Sequence, residues 1–207
     1  MKNLTLLAVV ILISLSSQSF AQEIQTLMGP DTDISFVWGL DLNTATIKDE
    51  LGTEYNVYGG ALFNRSILLG LTAGLNLTHP KLNQGYLGVI GQYTYKPEKV
   101  IHYSGFLKMG TGSAKGYPAI KSSALDNMGN ITGPSFYLIE PGINVEINMT
   151  PESRLLIGVS YRSVSGLDEI SFTQRGQYYE GDGVDYTFTD EDLSGLYFNI
   201  GFKVGLY

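Results

Sequence analysis

The chain has 207 residues, 13 basic and 20 acidic side chains, a net charge of −7 and no cysteine. That balance argues against a nucleic-acid partner, because phosphate binding needs a basic surface. Without cysteine there are no disulfides and no lipid attachment of the lipoprotein type. The length suits one domain with a full core, or one small barrel.

Met1-Lys2-Asn3 precedes an apolar run from Leu4 to about Leu15, and Ser19 and Ala21 supply a small-x-small cleavage site. Residues 1–21 are therefore predicted to be a secretory signal peptide, with Gln22 first in the mature chain. The apolar run is too short to anchor the chain, since a spanning helix needs about 20 residues. No later run approaches the ~18 apolar residues that mark a transmembrane helix.

Without Lys2 the mature chain carries 12 basic and 20 acidic residues, a net of −8. Residues 166–192 hold eight acids (Asp168, Glu169, Glu180, Asp182, Asp185, Asp190, Glu191 and Asp192) against Arg175, a net of −7. Nearly all the excess negative charge thus falls in one stretch. Glycine is also frequent, 25 of 207 residues, or about 12% against a usual ~7%.

After Glu23–Thr32 the alternation of apolar and polar residues begins, the period-two signature of a strand with unlike faces. The first strand is predicted over Asp33–Leu42, with Ile34, Phe36, Trp38, Leu40 and Leu42 on one face. A polar connection, Asn43–Gly52, leads to a second strand over Thr53–Phe63. Asn64-Arg65 makes a tight turn into a third strand over Ser66–Thr78. Ile67, Leu69, Leu71, Ala73, Leu75 and Leu77 there oppose Leu68, Gly70, Thr72, Gly74, Asn76 and Thr78.

His79-Pro80-Lys81-Leu82-Asn83 breaks the pattern. Strands four, five, six and seven are predicted over Gln84–Lys96, Val100–Gly112, Pro134–Met149 and Arg154–Val164. Pro141 lies inside the sixth and calls for a bulge. A Gly/Ser/Pro/Asn-rich loop over Ser113–Gly133 and the acidic loop separate strands five from six and seven from eight. The last strand, within Leu193–Tyr207, sets Leu196, Phe198, Ile200, Phe202, Val204 and Leu206 against Tyr197, Asn199, Gly201, Lys203, Gly205 and Tyr207.

Eight strands, short turns after the even ones and longer connections after the odd ones give the chain two unlike ends. In lipid every backbone amide must pair within the sheet, so the sheet must close. The large aliphatic set then faces lipid, and the Gly, Asn, Ser, Thr and charged set faces inward. Phe63, Tyr95 and Tyr103 fall outward near the short turns. Tyr55, Tyr137 and Tyr161 fall outward near the long loops, so two aromatic girdles are expected. Inward charges of both signs (Glu140, Glu146, Lys108, Arg162 and Lys203, with Asp41, Glu54 and Arg154) are expected to form an ionic network that plugs the lumen.

On these features the mature chain, 22–207, resembles the small OmpA/OmpX-type outer-membrane barrels. The fold that the resemblance implies is an all-β, closed antiparallel up-and-down transmembrane β-barrel of eight strands, preceded by a cleaved signal peptide. Its end is similar to the assembly signal of bacterial outer-membrane proteins, polar-x-Gly-x-x-apolar-x-apolar, through Asn199, Gly201, Val204 and Leu206. Tyr207 lies one residue beyond the usual end. The resemblance implies a monomer in the bacterial outer membrane. Lipids and lipopolysaccharide would surround it, the barrel-assembly machinery would handle it during biogenesis, and long loops would face any extracellular ligand.

Chemistry is sparse. Only His79 and His102 are present. His102 and Ser104 share the inward face of strand five, the one place where a nucleophile and a base coincide. No phosphate loop, metal-spaced His/Cys set or calcium loop occurs, so no cofactor, no metal and no enzymatic activity are expected. The acids Glu180, Asp182, Asp185, Asp190, Glu191 and Asp192 could gather a divalent cation, although a solvated loop also accounts for them. Three functions fit: a structural or surface-interaction barrel, which is preferred; a narrow porin-like channel; and a soluble lipocalin-like carrier with Leu69, Leu71 and Leu75 turned inward.

Overall fold

The structure, a computed structural model, describes residues 33–76, 78–79, 81–116, 134–167, 169–174 and 184–205. The expected signal peptide and the expected features at Leu77, Pro80, Asp168, Arg175, Glu180, Asp182, Leu206 and Tyr207 lie outside the described residues.

The strands are β1 (Ile34–Ile47), β2 (Glu50–Phe63), β3 (Ile67–Asn76), β4 (Leu82–Tyr95), β5 (Ile101–Gly116), β6 (Ser135–Thr150) and β7 (Ser153–Ser165). Then come β8 (Ile170–Gln174), β9 (Val184–Phe188), the short helix α1 (Asp190–Leu193) and β10 (Gly195–Gly205). Eight of the strands close a barrel in the order β1-β10-β7-β6-β5-β4-β3-β2. Neighbours are antiparallel throughout, and β1 meets β10 from Val37↔Gly205 to Thr44↔Phe198. Closure leaves no sheet edge, the condition a spanning sheet must meet.

The faces divide as the alternation predicts. Trp38, Leu40, Leu69, Leu87, Val89, Met109, Ile139, Ile143, Ile157, Phe198 and Ile200 are exposed on the outside. Leu71, on the same face, is 64% exposed. Asp41, Asn56, Thr72, Gln92, Lys108, Glu140, Glu146, Arg162 and Lys203 are buried inside. In water such an outer surface would be untenable; in lipid it is the ordinary solvent-facing surface. The soluble-carrier reading, which needs Leu69 and Leu71 in the lumen, therefore fails.

Four expectations need correction. The segment Asn43–Gly52 is not a polar connection. β1 runs on to Ile47, β2 begins at Glu50, and Lys48 (φ 47°) and Asp49 (φ 65°) alone make the turn. Both central residues at positive φ define the type I′ hairpin, whose twist matches that of the strands. Connections therefore do not alternate strictly in length. No bulge marks Pro141 either. The β5–β6 register is unbroken at Leu107↔Pro141, and β6–β7 keeps one register from Ile139↔Ser163 to Gly142↔Ser160. The amide that proline lacks faces β7, where the ladder is merely interrupted; the irregularity lies at Asn148/Thr150.

The acidic stretch is not simply a solvated loop. It contains the hairpin β8–β9, paired from Ile170↔Phe188 to Gln174↔Val184, and then α1. Finally, Phe63 keeps the outward parity but is only 7% exposed, because Ile34 and Ile67 flank it across both ladders. The other aromatics expected outside, Tyr55, Tyr95, Tyr103, Tyr137 and Tyr161, are exposed there. Tyr95 and Tyr103 stand directly opposite each other beside the β4–β5 turn.

Candidate functional site

Inward residues recur at every second position, so each strand delivers a column of side chains to the lumen. An eight-stranded barrel leaves an interior just wide enough for them. Glycines on the inner parity set the local width. Gly60 and Gly70 stand opposite each other, and a Cβ on Gly60 would come within 2.2 Å of the Leu69 carbonyl oxygen. Gly158 and Gly201 admit the side chains of Asn144 and Asp41; a Cβ on either would lie 2.0 Å from an Oδ1 of those residues.

Into this space the charged side chains converge on two centres. In the first, Arg162 of β7 donates through Nη1 to Glu54 Oε2 (2.6 Å) and through Nη2 to Glu54 Oε1 (2.8 Å). Its Nε donates to Glu140 Oε2 at 2.7 Å. Glu140 also accepts from Ser160 Oγ at 3.0 Å and from Lys108 Nζ at 3.3 Å. The guanidinium lies over two buried tyrosines, 4.3 Å from the Tyr197 ring centre and 5.0 Å from that of Tyr86. Glu54 sits on β2, and both β1 and β10 lie between that strand and β7. The bond therefore crosses the lumen rather than running along a ladder.

The second centre is Glu146 of β6. It accepts from Gln92 Nε2 (2.6 Å), Lys203 Nζ (2.9 Å) and Arg154 Nη1 (3.4 Å), and meets His102 Nε2 at 3.2 Å. These partners come from β4, β10, β7 and β5. Charge-assisted bonds of this kind are roughly twice as strong as neutral ones, and buried charge demands them. Between the centres, Asn199 Nδ2 donates to Asn144 Oδ1 at 2.7 Å. The Asn56 amide lies 2.8 Å from Thr72 Oγ1 and 3.0 Å from the Tyr86 hydroxyl. Asp41 Oδ2 lies 3.4 Å from the Asn56 side-chain amide.

The structure thus brings Glu140, Lys108 and Arg162 together, with Glu54, and brings Glu146 together with Lys203. The two sets are separate ion clusters. Of the assembly-signal residues, Asn199 and Gly201 are buried in the lumen, and Val204 lies on the outer parity opposite Trp38. The remaining one, Leu206, falls outside the described residues.

Apolar side chains close the interior around the ions, a feature that inward parity alone did not single out. Val37, Tyr58, Leu62, Leu68 and Ile90 pack together inside β1–β4. At the loop end, Ile47, Leu82, Ala114, Phe136, Leu138 and Val164 pack against Ile170, Phe188 and Leu193. The hairpin and α1 thereby lie on the barrel mouth as a lid.

Polar contacts hold the lid down. Lys48 Nζ donates to the Thr187 carbonyl and sits 5.1 Å from the Phe188 ring centre. The buried imidazole of His79 meets the same ring edge-on, 5.9 Å between centres. Asp190 accepts from the Gly166 and Leu167 amides at 3.2 and 2.9 Å, and Asp192 accepts from the Thr189 amide at 2.9 Å. These two acids, candidates for a cation, are thus occupied with main-chain amides. Among the described residues no three His, Asp or Glu side chains gather as metal ligands would.

The Ser-His idea loses its base. His102 Nδ1 is 2.9 Å from the Lys99 carbonyl and Nε2 faces Glu146. Both ring nitrogens are engaged by acceptors other than Ser104.

No protein-family model matches the sequence, and no curated protein matches it. Solved structures do. Neisserial surface protein A superposes with a TM-score of 0.52 at 8% identity, covering 84% of this chain and 97% of that one. The outer membrane protein OprG from Pseudomonas aeruginosa gives 0.49 at 8% identity, over 83% and 95%. A major outer membrane protein from Thermus thermophilus gives 0.47 at 9%, over 82% and 99%. The fold is that of the small eight-stranded outer-membrane β-barrels.

Proposed function

We propose that this chain is an integral, monomeric outer-membrane barrel without enzymatic activity, whose lumen is plugged and whose role is structural or carried by its loop end. Lipids meet the outer belt, and lipopolysaccharide meets it in the outer leaflet. Asn199, Gly201, Val204 and Leu206 present the assembly machinery with its signal during biogenesis. The observation that supports a plugged lumen is the Arg162–Glu54 pair, which crosses the lumen at 2.6 Å, backed by the apolar lid at the mouth. A hydrated pore would separate such charges and wet the lid.

Planar-bilayer recording tests this reading against the narrow-channel one. The purified protein should insert without a stable conductance step. A reproducible open level would replace the plugged barrel with a channel.

A further inference from the structure

We infer that the outer wall of the barrel carries a specific site for one anionic glycerophospholipid, placed at the turn end between β4 and β10. The inference rests on the membrane reading above and goes beyond it, because it distinguishes one bound lipid from the surrounding shell.

Most of the outer belt is filled by large side chains. Gly105 is an exception. It faces outward between Tyr93 and Ile143, its cross-strand neighbours. A Cβ there would find nothing closer than the Gly142 carbonyl oxygen at 3.9 Å. The missing side chain opens a groove of about 590 Å³ walled by Tyr93, Tyr95, Tyr103, Ile143, Val145 and Phe198 among others. That volume falls within the roughly 300–1,000 Å³ of small-molecule sites. Its walls are apolar, so the occupant is an acyl chain.

Charge identifies the headgroup. Tyr95, in the groove wall, lies beside the β4–β5 turn, and Lys96 Nζ stands 4.9 Å from its ring centre. Lys99 is exposed in the same turn, with Glu98 its one acid; Glu152 stands on the β6–β7 turn across the groove. Lys96 is not in the groove lining itself, but its Nζ over the Tyr95 ring puts a cation beside the interfacial end of the groove, which favours a headgroup of net negative charge over a zwitterionic one. Aromatic rings at that level suit the headgroup boundary.

A second outer dent serves as an internal control. It is about 400 Å³, lies over Gly59 and is walled by Trp38, Val57, Leu71 and Leu87; neither dent has a charged residue in its lining, but this one lies at mid-strand, away from the turn lysines. An acyl chain there has no headgroup partner and should exchange like any other.

The experiment is native mass spectrometry of the full mature protein, released from nanodiscs of equal phosphatidylglycerol and phosphatidylethanolamine. One phosphatidylglycerol should persist after the shell is stripped. It should be lost in Gly105→Leu, which obstructs the groove at its floor. In the Lys96→Gln/Lys99→Gln double variant the headgroup preference should vanish. Gly59→Leu should retain it. Heat-modifiable gel migration of each variant reports folding independently, and the exposed lysine variant guards against a Gly105→Leu chain that fails to fold. Equal retention in all variants, or no retained lipid from a folded, inserted wild type, overturns the site and leaves the barrel in the membrane. Failure of the wild type to insert removes the site and the membrane reading together.

Discussion

Arg162 on β7 and Glu54 on β2 form a two-pronged ion pair across the barrel, 2.6 and 2.8 Å, between residues 108 positions apart in sequence. The same guanidinium grips Glu140 on β6. Three strands are thereby tied through one side chain.

Replacing Arg162 by Met should cost stability. Glu54 and Glu140 would remain buried with one cation fewer, and breaking a buried pair from one side costs on the order of 3–5 kcal/mol. Urea unfolding in lipid vesicles measures it. Adding Glu54→Gln to Arg162→Met should recover part of the loss, because the stranded charge is gone. A single variant as stable as the parent would mean that the pair does not form.

Gly70→Ala should destabilise the barrel although it adds only a methyl group. A Cβ at Gly70 would sit 2.3 Å from the Gly59 carbonyl oxygen, so backbone must move. Overpacking of that kind costs roughly 1–3 kcal/mol. Gly105→Ala, facing open space, should be close to neutral in the same assay. Equal costs at both sites would contradict the assigned faces.

Much of this barrel was legible as alternation. Strand parity by itself placed Leu71 outside and Lys108 inside. What parity does not carry is which inward residues meet, since tilt and stagger decide that Glu146 gathers Lys203 and Gln92 from strands that are not its ladder neighbours. The β1–β2 turn stayed hidden because Lys48-Asp49 holds a type I′ conformation without the Asn-Gly or Asp-Gly that usually marks one. The lid hairpin was masked by its acids. Ile170 and Phe172, then Val184, Tyr186 and Phe188, do alternate, but over segments too short to stand out.

The lid should be the least tightly held part of the structure. Phe188→Ala removes the ring that meets Lys48 and His79, and a buried Phe truncation costs about 3–5 kcal/mol. The loss should appear as faster proteolysis within 166–194, with heat-modifiable migration of the barrel retained. Unchanged cleavage would show that the lid is anchored elsewhere.

A charge on the outer belt should be penalised by the bilayer. Leu71→Arg faces lipid and should lower stability by roughly 2–4 kcal/mol, the depth-dependent cost near the midplane. The penalty should shrink in detergent micelles, where water lies nearer. A cost independent of the surrounding amphiphile would point to packing within the protein.

The central claim, that the oily face of a closed sheet looks outward into lipid, is tested most directly at Trp38, the single tryptophan. Its side chain is on the outer wall, 59% exposed. In vesicles its emission should be blue-shifted, quenched by brominated acyl chains and shielded from aqueous iodide. Emission quenched by iodide and indifferent to brominated lipid would place that face in water, and the membrane barrel would have to be abandoned.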